Sequence, residues 1–369
     1  MRSLLPSLRP SIFTSTFGGF GLGDRLWDVA GLRPSLDLQL ATRKSLVDAV
    51  TGASLVTHTR ASSATFVDST GVLRSAVTNL LLRSEEFQTT WAATRASVTA
   101  NSIVAPDGSL TADKITEDTT ATATHLLAQT GTLISIVGSR YTYSVYAKAD
   151  GRNWIVLSPG STWGYAWFDI SAGAVGTVID GGGATTASIT NVGNGWYRCV
   201  VSATAVDARG LQVLLANANN VVTYTGNGTS GIYLWGAQLE QSATVGEYVP
   251  TTSTINSAPR FDHNPTTGES LGLLVEEART NSFTYSEQLE TSPWTAFNAT
   301  ITANAASSPS NSNTADLLLE TAAAGAHFIY WNSVTAIETG AVSIFVKQNN
   351  RQFAALRLRA ALNDWVTCI

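Results

Sequence analysis

The chain has 369 residues, of which 44% are hydrophobic and only 13% charged, with a formal net charge of −5. The charge content lies well under the ~25% usual for a globular protein, the apolar content excludes charge-driven disorder, and the acidic balance leaves no basic footprint for nucleic acid. Two cysteines, Cys199 and Cys368, are too few for a disulfide scaffold and read as buried free thiols.

Residues 1–30 do not read as a secretory leader, because Arg2, Pro6, Arg9 and Pro10 interrupt any apolar run. No stretch approaches the ~18 apolar residues of a membrane span, so folding in a cytoplasm without membrane insertion is expected. Phe17-Gly18-Gly19-Phe20-Gly21-Leu22-Gly23 is too Gly-rich for a stable helix or strand. It is either a mobile tail or part of an arm over residues 1–55 that orders against a partner, because Phe13, Phe17, Phe20 and Trp27 are costly to leave wet. The arm reading implies docking on another protein, and a closed homo-oligomer, expected to be a trimer. Residues 35–50 read as a short strand followed by a helical turn.

Residues 56–78 and 255–280 read as hairpin connectors. In the first, residues 64–67 are β-prone, Asp68-Ser69-Thr70-Gly71 is a turn, and residues 72–74 lead back. In the second, residues 259–262 and 271–275 flank a turn over residues 263–268. After each connector the chain starts the same pattern. Asn79 to Trp91 recurs as Asn281 to Trp294, Thr99-Ala100-Asn101 as Thr302-Ala303-Asn304, Thr111-Ala112-Asp113 as Thr314-Ala315-Asp316, and Ser144 to Lys148 as Ser343 to Lys347. The offset drifts from 202 at Asn79/Asn281 to 199 at Ser144/Ser343, as loop insertions and deletions produce. A unit this long is a duplicated domain rather than a solenoid repeat: copy 1 over residues 79–254 and copy 2, incomplete, over 281–369.

Copy 1 is a succession of β-prone runs at residues 141–147, 154–157, 163–170, 188–190, 196–203, 211–216, 221–225 and 232–235, separated by turn clusters. No helical period intervenes. Strands of this length and spacing predict an all-β chain of tandem antiparallel β-sandwiches of jelly-roll type. Aligning Ile170 with Ile369 leaves copy 2 without counterparts of the later strands. The expectation is that the native chain continues, or else that a neighbouring chain supplies the strands by β-addition, with the first preferred.

Ala166-Trp167-Phe168-Asp169, Val192-Gly193-Asn194-Gly195-Trp196-Tyr197-Arg198 and Gly231-Ile232-Tyr233-Leu234-Trp235-Gly236-Ala237-Gln238-Leu239-Glu240 occur in that order, after residues 79–91 and 143–148. Together they resemble the carbohydrate-binding-module-like domains of tailed-phage virion proteins. The connectors, Arg60-Ala61-Ser62-Ser63 on to Asp68, and Ala258-Pro259-Arg260-Phe261-Asp262 through Glu276-Glu277-Ala278-Arg279-Thr280-Asn281, resemble segments of phage tail-fibre and head-fibre proteins. The resemblance spans residues 60–369 and is more specific for source than for ligand. It implies a non-enzymatic structural protein of the virion, a fibre or decoration component. Such a protein would dock on other virion proteins through its N-terminal arm and present its sandwiches to host-surface glycans or virion contacts. The alternative is a polysaccharide-degrading tailspike whose catalytic part lies beyond residue 369. A secreted glycan-binding accessory is a third reading, disfavoured by the N-terminal segment.

Trp163, Tyr165 and Trp167 alternate, so in one strand they would share a face. Flat aromatic faces suit the C–H surface of a sugar ring; the same rings would equally fill a core or an interface. Copy 2 does not repeat the row, which favours a ligand role, whereas Trp91/Trp294 and Trp154/Phe353 recur and read as core. Jelly-roll modules of the resembled kind often hold a structural calcium, and by that analogy Glu85, Asp113 and Glu240 are candidate ligands for Ca²⁺, an ion that takes six to eight oxygens. Capping of turns and strand ends is the alternative use of such carboxylates. No carboxylate pair is marked for glycoside hydrolysis, and His58, His125, His263 and His327 fall in no metal spacing.

Overall fold

A computed structural model describes residues 36–129, 136–160, 162–207, 210–277, 281–331, 341–359 and 364–368. Among them there is no helix, hence none long and apolar enough to cross a membrane. The chain divides into two compact units, one built on Ser75–Asp262 and the other on Val275–Ile369 together with the hairpin tips Phe66–Arg74 and His263–Glu269. The arm residues Phe13, Phe17, Phe20 and Trp27 lie outside the described residues. Over residues 36–50, where a strand and a helical turn were expected, Arg43 N–H closes a single i→i−4 turn on Gln39 O, and in place of the strand there are only isolated bridges, Leu38 to Asp48 and Val47 to Ser54. Asp48 is the reason: its carboxylate accepts from the N–H groups of Asp37, Val50 and Thr51 and from the Thr51 hydroxyl, which satisfies the backbone locally.

Both connectors are hairpins. The first pairs β1 (Thr65–Val67) with β2 (Leu73–Ser75). Its Asp68 Oδ1 accepts from Thr70 N–H at 2.9 Å and Val72 N–H at 3.1 Å, and Gly71 turns the chain at φ +79°. After β3 (Thr78–Asn79) come β4 (Trp91–Thr94), β5 (Ala96–Ile103), β6 (Ala112–Glu117), β7 (Ala123–Thr124), β8 (Leu126–Gln129), β9 (Arg140–Asp150) and β10 (Trp154–Ser158). Then follow β11 (Gly164–Asp169), β12 (Ala174–Asp180), β13 (Thr186–Gly193), β14 (Trp196–Thr204), β15 (Leu211–Ala216), β16 (Thr223–Tyr224) and β17 (Gly231–Glu240).

Copy 1 is a sandwich of two six-stranded sheets. Sheet A runs β12-β11-β10-β15-β8-β4 and sheet B runs β13-β14-β9-β17-β6-β5. All neighbours in both are antiparallel. Alternation puts Tyr143, Val145 and Ala147 of β9, Cys199 and Val201 of β14, and Ile232 and Leu234 of β17 on the inner face of sheet B. They belong to one buried cluster with Ile155 and Leu157 of β10, Phe168 of β11, and Val213 and Leu215 of β15 from sheet A. Each large side chain so buried contributes about 1.5–3 kcal/mol. Cys199 is a free thiol in this core, and burial pushes its pKa up.

One bulge lets β17 run to Glu240. Register shifts between Trp235 and Gln238, so Ala237 and Leu239 stay on the inner face where Ile232 and Leu234 were. Gly236 supplies the φ of +62°, and a Cβ there would lie 2.9 Å from the Tyr146 ring.

Beyond copy 1, β18 (Asn256–Ser257) pairs with β3, and β19 (Phe261–His263) pairs with β20 (Ser270–Leu273) as the second connector hairpin. In copy 2, β21 (Trp294–Phe297) pairs with β24 (Phe328–Trp331), β22 (Ala299–Ala306) with β23 (Ala315–Glu320), and β25 (Ala355–Arg359) with β26 (Asp364–Cys368). These match β4–β8, β5–β6 and β10–β11 of copy 1. The repetition extends to single hydrogen bonds. Asp113 accepts from the N–H groups of Phe87 and Asn101 at 2.8 and 2.9 Å, and Asp316 from Leu289 and Asn304 at the same two distances. His125 Nδ1 donates to Arg95 O at 2.6 Å and His327 Nδ1 to Asn298 O at 2.7 Å. Glu117 pairs with Arg152 as Glu320 does with Arg351.

Candidate ligand surface

The outer face of sheet A is where the aromatic row was expected, and the row divides there. β11 begins at Gly164, whose φ of +125° turns the chain before the alternation starts. Trp163 therefore packs inward: it is 1% exposed, its ring centroid lies 5.6 Å from that of Tyr141, and its Nε1 donates to the main-chain and side-chain oxygens of Asp207 at 3.0 Å. Trp163 is a core residue, not a member of an exposed row. Tyr165 and Trp167 do share the outer face, with ring centroids 5.3 Å apart. Trp167 sits opposite Val156 of β10, and is only 3% exposed in a cluster with Val156 and Ala216.

Trp154 joins this outer cluster rather than the core, which corrects the inference drawn from its pairing with Phe353. It heads β10 opposite Asp169 and Ala216. Gly176 makes room for it, since a Cβ there would lie 2.6 Å from the indole and 2.5 Å from Asn219 Oδ1. Asn219 Oδ1 in turn accepts from Thr177 N–H at 2.8 Å. The resulting ledge is half-buried Trp154 and Tyr165 over a floor of Val156, Trp167 and Leu214, with Asn219 and Gln212 beside it. Rings with one face packed and the other wet can stack on an apolar, planar part of a ligand while amides take its hydroxyls.

Sheet B carries a second aromatic cluster on its outer face, which the sequence reading did not single out. Tyr146, Trp235 and Tyr248 have ring centroids 4.6–6.0 Å apart, and the Arg198 guanidinium lies 5.2 Å from the Tyr146 ring. Trp235 Nε1 donates to Thr111 Oγ1, and the Tyr248 hydroxyl donates to Glu85 Oε1 at 2.9 Å. Rings this close leave no slot for a ligand between them. The cluster fastens the segment bearing Tyr248 to the sheet.

The three carboxylates considered for calcium each meet different protein donors. Glu85 accepts from Tyr248, Asp113 from Phe87 and Asn101, and Glu240 from Gly246 N–H and Gln238 Nε2. Burial pushes all three above the usual carboxylate range, against the pull of those hydrogen bonds. Among the described residues no three His, Cys, Asp or Glu side chains converge on one point.

A different site binds the sandwich at the end of β6. Glu117, with a side chain 0% exposed, holds Arg152 in a two-pronged pair at 2.6 and 2.7 Å, and also accepts from the Tyr224 hydroxyl at 2.8 Å and Asn227 N–H at 2.9 Å. Burial raises its pKa, but the bonds from Arg152, Asn227 and Tyr224 together win and hold it low. The Arg152 guanidinium also lies 4.7 Å from the Tyr224 ring.

No family model matches the chain, and no curated protein matches it. Among solved structures it is similar to the N-terminal endo-1,4-beta-D-xylanase 10B CBM22-1–GH10 modules of Clostridium thermocellum complexed with xylohexaose, at 12% identity and a TM-score of 0.26. The likeness covers 47% of this chain and 30% of that one, and at such a score carries no argument about ligand or activity. The all-β sandwich rests on the strand pairings themselves.

Proposed function

We propose that the chain is a non-enzymatic structural protein of a tailed-phage virion, a fibre or decoration component whose β-sandwiches make the contact with host-surface glycans. The observation that carries the glycan half is the outer ledge of copy 1, where Trp154 and Tyr165 stay half-buried against Trp167 and Val156. The virion half rests on the resemblance of the ordered motifs within residues 60–369 to those of tailed-phage virion proteins. In this reading the protein is a trimer docked on other virion proteins by its N-terminal arm.

A glycan array with the full chain and with Trp154→Ala and Tyr165→Ala tests the ledge. Binding should be lost in both variants with the melting temperature nearly unchanged. Trp163→Ala serves as the contrast, because truncating a core indole costs about 3–5 kcal/mol whatever the ligand. An array on which the unmodified chain binds nothing, or on which both ledge variants bind as it does, defeats the reading. Antibody labelling of purified virions tests the location, and unlabelled virions would reject it.

A further inference from the structure

The two sheets of copy 1 differ in charge. Sheet B carries the cations Lys114 on β6, Arg140 and Lys148 on β9, and Arg198 on β14. No strand of sheet A contains a lysine or an arginine, and its charged residues are Asp169 on β11 and Asp180 on β12. Asp169 lies opposite Trp154. Burial raises its pKa, but the bonds it accepts from Ser171 and Ala172 win and hold it low, so it is a carboxylate at neutral pH. Arg152, two residues before Trp154, is closed by its two-pronged pair with Glu117. The ledge also has length. Val156 faces Trp167, and Trp154 and Tyr165 stand two residues to opposite sides of that pair. At ~3.3 Å per residue they are about 13 Å apart along the strands, more than one pyranose ring can cover.

Granted that the ledge is the glycan contact, we propose that it takes an internal stretch of an uncharged polysaccharide, laid along the strands from Trp154 to Tyr165, and that it rejects acidic glycans. A uronic acid, sialic acid or phosphodiester brought onto sheet A would lose water without meeting a cation, and would do so beside the Asp169 carboxylate. A neutral chain stacks its C–H surfaces on the rings and offers its hydroxyls to the amides of Asn219 and Gln212. Two platforms that far apart grip successive sugars of one chain, whereas a lone monosaccharide engages only one of them.

The test titrates the full chain with neutral hexasaccharides (cellohexaose, maltohexaose, mannohexaose, chitohexaose) and acidic ones (hexagalacturonate, hexasialic acid), read by tryptophan fluorescence and calorimetry. Saturable binding to one or more neutral chains is expected, with every acidic chain weaker by about tenfold or more and the matching monosaccharide by about a hundredfold or more. Gln212→Lys places an ammonium on the half-buried outer face and should raise the affinity for acidic chains by about fivefold or more. Acidic chains that bind as tightly as neutral ones, and lose that binding in Trp154→Ala and Tyr165→Ala, overturn the charge assignment while leaving the ledge as the contact. A monosaccharide as tight as its hexasaccharide overturns the internal stretch. Neutral binding that both ledge variants retain removes the ledge itself and this assignment with it, as does a failure of both sets to bind.

Discussion

Removing the Arg152 guanidinium should destabilise copy 1 far more than removing its counterpart in copy 2. The Glu117–Arg152 pair has side-chain exposures of 0% and 15%, and the Glu320–Arg351 pair 44% and 71%. Deleting one partner of a buried pair leaves an uncompensated charge and costs about 3–5 kcal/mol. Glu117 keeps two of its acceptor bonds, from Tyr224 and Asn227, which places Arg152→Ala near the low end, about 3 kcal/mol at pH 7. The exposed pair is worth about 0–1 kcal/mol, so Arg351→Ala should barely register. The pH dependence has a definite sign. In the native protein the Glu117 pKa is held low, so its stabilisation is present above the unfolded value and lost as pH falls through the folded one. Without Arg152 burial dominates and the pKa rises above the usual range, so the penalty of the variant is largest at neutral pH and shrinks toward pH 4. Urea unfolding followed by near-ultraviolet circular dichroism at both pH values measures this. A loss under about 1 kcal/mol at pH 7, or one independent of pH, would refute the argument.

Asp113→Ala should cost about 1–3 kcal/mol because the buried N–H of Phe87 loses its acceptor, with little added by the Asn101 N–H on an exposed residue, whereas Asp316→Ala in the half-buried counterpart should cost clearly less. Glu85 is held above the usual carboxylate range by burial, so its ionisation works against folding as pH rises past the unfolded value. Glu85→Gln should therefore gain stability relative to the native chain at pH 8 and not at pH 4, seen as a flatter plot of melting temperature against pH.

Much of the fold was written in local chemistry. The duplication, both connector hairpins and most copy 1 strands follow from alternation and turn residues. What failed depended on where a strand starts or stops. Trp163 looks like the first member of an alternating row, but the positive φ at Gly164 separates it from β11 and sends it into the core. Trp154 and Phe353 recur as aromatic residues without sharing an environment, since Trp154 lies on the ledge and Phe353 is exposed. The extension of β17 past Trp235 needed the bulge at Gly236, which alternation alone reads as a strand end. Tyr248 came from a segment with no strand pattern, so no periodicity pointed to its place against Trp235.

The Asp113 cap has a consequence for the order in which the protein is made. Its two partners lie 26 and 12 residues away, both toward the N-terminus, so the β5–β6 ribbon can set its register as soon as it leaves the ribosome. Tyr224, which completes the Glu117 network, lies 107 residues further on from Glu117. At roughly 5–20 residues per second, that separation is a wait of about 5–20 s. Through that interval the nascent ribbon holds its shape with Ile115 uncovered, much as β23 holds Leu318. An uncovered apolar position makes the interval hazardous, and a chaperone that meets the ribbon at Ile115 would meet its counterpart at Leu318 in the second copy.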